Sequence, residues 1–262
     1  MLGAIAGDII GSRFEGLGAV SEGFDFFHPS STFTDDTVCV LAVAEAAMDG
    51  FDFNGNLRQM ARRYPMRGYG ERFWKWVTAE GAPAYGNFGN GAPMRVAPIG
   101  WLARSESELF SLSDAQAAVT HDHPEAMAAS RAVALAIFLA RAGHSPNQIK
   151  NRITSDFGYD LDRERSGFDL RAGETTMRAL RSALNADCYE TAIRDVMRGG
   201  GDTDTLSCIA GGVAEALHGM PAEIWDAARE YLPVEFIHFV HRFQLTRTME
   251  FQTKFPSSSS LV

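Results

Sequence analysis

Two short stretches of the chain gather oxygen ligands. GGGDTDT, from Gly199 to Thr205, sets two carboxylates and two threonine hydroxyls behind three consecutive glycines. FTDDTV, from Phe33 to Val38, repeats that chemistry near the other end of the chain. Each tetrad leads into an apolar stretch, which places it in the first turn of a helix. Position matters here, because consecutive side chains in a helix interior diverge by about 100° and cannot meet at one point. From a first turn, Thr34, Asp35 and Asp36 can converge, and so can Asp202, Asp204 and Thr205 behind a sharp glycine turn. Four carboxylates buried together repel one another and shift toward protonation unless a cation compensates. Hydroxyl and carboxylate donors suit Mg²⁺ or Mn²⁺ better than Zn²⁺, for which His and Cys would be expected. A helix N-cap needs only one such side chain, and two sites offering three or four each exceed that need.

The elements that must position these residues read as helices almost throughout. The residues after Asp36 are apolar nearly all round, as in a helix buried on several sides, and Gly50 ends them. A second helix runs from Pro124 to a stop at Gly143, and a third from Asp202 to Gly219. Gly211 and Gly212 inside the third cost roughly 1 kcal/mol each relative to Ala, which implies a helix packed close against them. Shorter helices are predicted near 54–65, 111–119, 146–154, 174–186, 188–197, 222–230 and 234–250. Glycine-rich RGYGE, AYGNFGNGAP and RGGGD are connections, and Phe73, Trp74 and Trp76 read as core packing at helical spacing.

A chain of 262 residues with 45% apolar and 22% charged residues fits one folded domain. We delimit it as 1–256, with 257–262 a disordered tail. The net charge of −9 and the lack of a dense basic run argue against nucleic-acid binding driven by charge. Cys39, Cys188 and Cys208 have neither metal-type nor redox-type spacing and read as core thiols in a reducing compartment. No apolar stretch reaches the roughly 18 residues of a spanning helix, and Met1 leads into no basic signal-like region, so a cytoplasmic protein is expected; a monomer is expected as well.

Six motifs then occur in order: GDIIGSRFE (Gly7 to Glu15), FTDDTV, RGYG (Arg67 to Gly70), FGNGAPMRVAPIGWL (Phe88 to Leu102), THDHPEA (Thr120 to Ala126) and GGDTDTLSCIAGGVAEALHG. Together they resemble the ADP-ribosylglycohydrolases and cover most of residues 1–221, whereas 222–262 carry no assignable motif. The resemblance implies an all-α, orthogonally packed multi-helix single domain with two divalent cations, Mg²⁺ or Mn²⁺, below an ADP-ribose cleft. Thr34, Asp35 and Asp36 would ligate from one side, and Asp202, Asp204 and Thr205 from the other. Asp36 or Asp202 could take a proton from the attacking water, and Glu15 stands where the family has a loop glutamate reaching the metal or the ribose.

For substrate, the resemblance assigns the backbone of Gly68, Tyr69 and Gly70 to the pyrophosphate and the Gly86-Asn87-Phe88-Gly89-Asn90-Gly91 loop to the ligand. Many members have Ser-Tyr where this chain has Asn87-Phe88, so Phe88 can stack but has no hydroxyl to donate. His121 aligns with a family histidine bordering the distal ribose, His123 reads as a local cap, and Arg95 as a structural ion-pair partner. The activity implied is hydrolysis of the bond between ADP-ribose and an acceptor, arginine favoured and O-linked adducts possible, on a protein or a small-molecule adduct. Clustered aspartates equally suit a two-metal nucleotide phosphohydrolase. A non-catalytic ADP-ribose binder is the third reading.

Overall fold

The computed structural model describes residues 1–254, so the tail expected at 257–262 and the last two residues of the expected domain lie outside the described residues. Within them the chain forms α-helices and no strand. In order these are α1 (Leu2–Gly11), α2 (Asp35–Met48), α3 (Phe53–Arg63), α4 (Glu71–Thr78), α5 (Ala97–Leu102), α6 (Glu106–Ala118) and α7 (Pro124–Arg141). They continue with α8 (Pro146–Phe157), α9 (Ala172–Asn185), α10 (Tyr189–Arg198), α11 (Thr203–His218), α12 (Ala222–Arg229) and α13 (Val234–Lys254). One buried apolar cluster draws Ile5 and Ile9 of α1, Leu41 of α2, Ile137 of α7, Val213 of α11 and Phe236 of α13 into a single core, the mark of one all-α domain.

The centre of that core is the pair α1 and α11. Every residue of α1 is buried, and its sequence places Gly3, Gly7 and Gly11 four apart on one face. A Cβ added at those positions would lie 2.3, 2.0 and 2.3 Å from the carbonyl oxygens of Gly211, Ser207 and Thr203. The two backbones are therefore in direct contact, which only glycine permits. Gly211 meets the expectation of a close neighbour, since its own Cβ would lie 2.2 Å from the Gly3 oxygen. Gly212 has only ordinary contacts, at 3.4 Å or more. The GxxxGxxxG spacing of α1 gives no helical signal in sequence, because it offers no polar face to set a period.

Local chemistry sets the helix ends. Ser105 and Ser145 cap α6 and α8, the latter in a reciprocal capping box with Gln148. His123 caps α7, its Nδ1 accepting from the Glu125 N–H at 3.2 Å, as its sequence position suggested. Cys39 and Cys208 are buried thiols, but Cys188 is exposed. That corrects the reading of all three as core thiols: Cys188 is the N-cap of α10 and turns outward toward Thr191. No helix among the described residues is long and apolar enough to cross a membrane.

Candidate active site

The α2 half of the site is built on Asp8, a fully buried carboxylate in the middle of α1. Asp8 accepts from the backbone N–H of Thr34 (3.0 Å) and Thr37 (3.1 Å) and from their hydroxyls (2.6 and 2.5 Å). It thus binds the free first-turn N–H groups of α2 from a neighbouring helix. Thr34 gives its hydroxyl proton to Asp8, and its oxygen accepts from the Asp36 N–H at 3.2 Å. One residue performs the capping, and Asp35 and Asp36 are left for other work. The Asp36 Oδ1 is buried with no hydrogen-bond partner.

The α11 half depends on the glycine run. Gly200 and Gly201 have φ of +61° and +97°, and side chains there would collide with the backbone of Gly18 and of Gly167 at 2.4 and 2.2 Å. Two loops pass against this turn and bond to it: Gly16 N–H donates to Gly201 O at 2.8 Å, and Gly167 N–H to Gly199 O at 3.0 Å. The first of these loops carries Glu15. Asp202 is the N-cap residue of α11, yet its side chain makes no cap bond and instead accepts from the Asn90 amide at 2.5 Å. The halves meet where the Thr205 hydroxyl donates to Asp36 Oδ2 at 3.2 Å.

Carboxylate oxygens of Asp8, Asp36 and Asp204 lie within 4.8 Å of one another, as do those of Glu15, Asp202 and Asp204. Asp204 belongs to both groups. Among the described residues no Lys or Arg forms an ion pair with any of these five acids or with Asp35. Burial first, then neighbouring carboxylates, push Asp36 and Asp204 well above the usual carboxylate range and Asp35 up to about 8. Burial followed by the charges of Asp202 and Asp8 raises Glu15 as well. An orphaned buried oxygen and uncompensated acids are what a bound cation would correct, so the donor set fits hard divalent metal.

A stability test follows from these raised values. Carboxylates with folded-state pKa above the unfolded value make the folded chain bind more protons, so stability falls as pH rises between roughly pH 4 and pH 8. With EDTA present, this cluster is expected to lower Tm at about pH 8 relative to about pH 5, and added Mg²⁺ to restore more at the higher pH. Thermal denaturation in EDTA and in Mg²⁺ measures it, and a Mg²⁺ effect independent of pH would contradict it.

Above the acids lies a cavity of about 360 Å³, within the range of small-molecule sites. Glu15, Asp35, Asp36, Asp202, Asp204 and Thr205 line it, with Gly68, Gly70, Asn87, Gly89, Asn90, Gly91 and His121. Of the remaining sequence candidates, Thr34, Tyr69, Gly86 and Phe88 lie outside its lining. The Tyr69 ring stacks on Phe73 and Trp74, with its hydroxyl bonded to Tyr64 O, and Phe88 is half exposed with its ring near His123. The 86–91 loop is held by backbone bonds from Asn90 N–H to Leu170 O and from Ala172 N–H to Phe88 O, both 2.9 Å.

Sequence reasoning missed several contributors. Asp8 was passed over although it stands in a quoted motif, the lone acid of an apolar helix. Phe168 and Leu170 line the cavity from a loop without a motif. Arg95, expected to be an ion-pair partner, has none among the described residues: it is fully buried at the cavity and bonded to Gln116 and Thr120.

An all-helical domain that gathers acids from two helix starts, the middle of α1 and one loop beneath a single cleft is the class that fold and site define together. The chain belongs to the ADP-ribosylglycohydrolase family, whose model matches residues 1–248. It is 22% identical to ADP-ribosylhydrolase ARH3 of Danio rerio, over 84% of this chain and 82% of that protein. With ARH3 of Mus musculus the identity is 23%, over 88% and 86%. A match to ARH3 of Xenopus tropicalis, 27% identical, spans 46% of this chain and only 43% of that protein. A solved structure described as an ADP-ribosylglycohydrolase-related protein complex shares the fold, with a TM-score of 0.70, 23% identity and coverage of 95% and 94%.

Proposed function

We propose that this chain hydrolyses the glycosidic bond between ADP-ribose and an acceptor, preferentially an arginine side chain, and so reverses mono-ADP-ribosylation. The observation that carries this reading is the meeting of the two acid-bearing helix starts, α2 and α11, on the cavity floor of a chain of this family. Thr34, Asp35 and Asp36 on one side, and Asp202, Asp204 and Thr205 on the other, are the assigned ligands of two divalent cations, Mg²⁺ or Mn²⁺. When bound, the cations supply Lewis acidity toward the ribose diol and the attacking water.

The chain's own groups do the rest. Water oxygen bonds to the anomeric carbon as the acceptor leaves with the electron pair, and a carboxylate among Glu15, Asp36 and Asp202 takes the water's proton. Asn90 donates to one Asp202 oxygen and so fixes that carboxylate at the cavity. Asp8 braces Thr34, so its role is positional. The backbone of Gly68, Tyr69 and Gly70 is assigned to the pyrophosphate, and Gly86 to Gly91 to the ligand, with His121 bordering its distal ribose. A guanidinium acceptor suits a chain of net charge −9. The enzyme would act as a cytoplasmic monomer on ADP-ribosylated protein or a small adduct.

The test is release of ADP-ribose from arginine-linked and serine-linked peptides in Mg²⁺, Mn²⁺ or EDTA. Faster release from arginine, lost in EDTA, is expected. Faster release from serine would overturn the acceptor, and release undiminished by EDTA would overturn the metal assignment.

A further inference from the structure

A line of buried polar side chains runs from α7 to the cavity through otherwise apolar core. Ser130, Gln116, Arg95 and Thr120 are each fully buried, and His121 is 3% exposed. Burying a guanidinium without a carboxylate is costly, and Arg95 has no such partner among the described residues. The orientation of each group follows from its neighbour. The Gln116 amide nitrogen donates to Ala92 O (3.2 Å) and Ser130 Oγ (3.1 Å), which turns its oxygen to accept from Arg95 Nε at 2.7 Å. Arg95 Nη2 donates to Gln116 O at 2.8 Å and to Thr120 Oγ1 at 3.0 Å. Arginine only donates, so Thr120 accepts from it and keeps its own hydroxyl proton to give. His121 Nδ1, 2.7 Å away, is the acceptor within reach. The opposite arrangement, with a proton on Nδ1, would leave the buried hydroxyl proton without a partner.

From this chain of donors we propose that Arg95 and Thr120 are positioning residues that lock His121 as the Nε2–H tautomer, giving the cavity a fixed hydrogen-bond donor. The Nε2 edge of the ring packs against Gly91, where an added Cβ would lie 2.8 Å from it, and no protein group bonds Nε2 among the described residues. Burial, followed by the charges of Arg95 and Arg72, lowers the ring's pKa well below its usual value, in keeping with a neutral donor. Such a donor selects an acceptor atom on the ligand, a sugar oxygen or a base ring nitrogen, over a donor at the same place. The identity of that ligand rests on the ADP-ribose reading above, whereas the tautomer does not.

The experiment is a long-range ¹H–¹⁵N spectrum of the histidine rings in the ligand-free protein, with His121 assigned from His121→Gln, followed by titration with ADP-ribose. The wild type is expected to show unprotonated Nδ1 and protonated Nε2. Thr120→Val, which keeps the shape and removes the hydroxyl, is expected to shift the ring toward the other tautomer and weaken ADP-ribose binding about tenfold, and Thr120→Ser to restore both. His121→Gln, whose amide N–H can reach the Nε2 position, is expected to bind better than His121→Phe. A protonated Nδ1 in the wild type, or an unchanged tautomer in folded Thr120→Val, would overturn the proposal. An Nε2–H ring in a protein that does not bind ADP-ribose would uphold the relay and count against the functional reading.

Discussion

Asp204→Asn is expected to lower hydrolysis by about a hundred- to a thousandfold, the scale on which losing a preorganised charge at a reacting centre is felt. Asp204 is the acid shared by both carboxylate groups, 4% exposed and held well above its usual pKa by burial and by Asp36 and Asp202. Asparagine keeps the oxygen that accepts from the Thr205 N–H at 2.9 Å, so the start of α11 keeps its local bond. The same substitution removes one charge from an uncompensated cluster. In EDTA the variant should therefore melt higher than the wild type, while Mg²⁺ should raise its Tm less. A residue that merely capped a helix would show the reverse, lower stability in EDTA and near-normal turnover. Rates and melting curves of the two proteins, with and without Mg²⁺, separate these outcomes.

Gly7→Ala carries the largest expected cost to the fold, about 3 kcal/mol or more. Its Cβ would lie 2.0 Å from the Ser207 oxygen, 2.5 Å from the Ser207 carbonyl carbon and 3.0 Å from the Cys208 nitrogen. All three are backbone atoms of α11, so no side chain can rotate away and α1 must part from α11. The damage would reach the site as well, because Asp8 follows Gly7 and braces Thr34 and Thr37 at the start of α2. Urea denaturation should show the loss, with Gly23→Ala as control: nothing lies within 4 Å of a Cβ there, and a change within about 0.5 kcal/mol is expected. A Gly7→Ala protein as stable as that control would contradict the described packing of α1 on α11.

The site was legible in sequence where local chemistry and local geometry coincide. Asp36 and Asp202 could be found because hydroxyl and carboxylate residues crowd two helix starts, and the structure brings those starts together. Asp8 was not found, because its value lies in a contact made 26 residues away across a helix pair. Nothing in LGAIAGDIIG announces which face meets α11 until the glycine contacts are seen. Arg95 failed for a related reason: a lone arginine is ordinarily matched with an acid, and here an amide, a carbonyl and a hydroxyl surround it. Tyr69 shows the converse limit, since RGYG fixes a turn near the cavity but not that the tyrosine ring packs back on Phe73 and Trp74. Most helices were visible from apolar periodicity, whereas α1 and the short α5 were not, being buried nearly throughout, and α4 showed only in the helical spacing of Phe73, Trp74 and Trp76.

The bond that is broken is the centre of this account. Purified protein, Mg²⁺ and an arginine-linked ADP-ribosyl peptide, with the released product identified by mass, address it in one step. Intact ADP-ribose together with unmodified arginine peptide is the result expected of acids set beneath a ribose. AMP, with a phosphoribosyl group left on the peptide, would mean that the same acids serve attack at phosphorus and would contradict the glycohydrolase reading of this site.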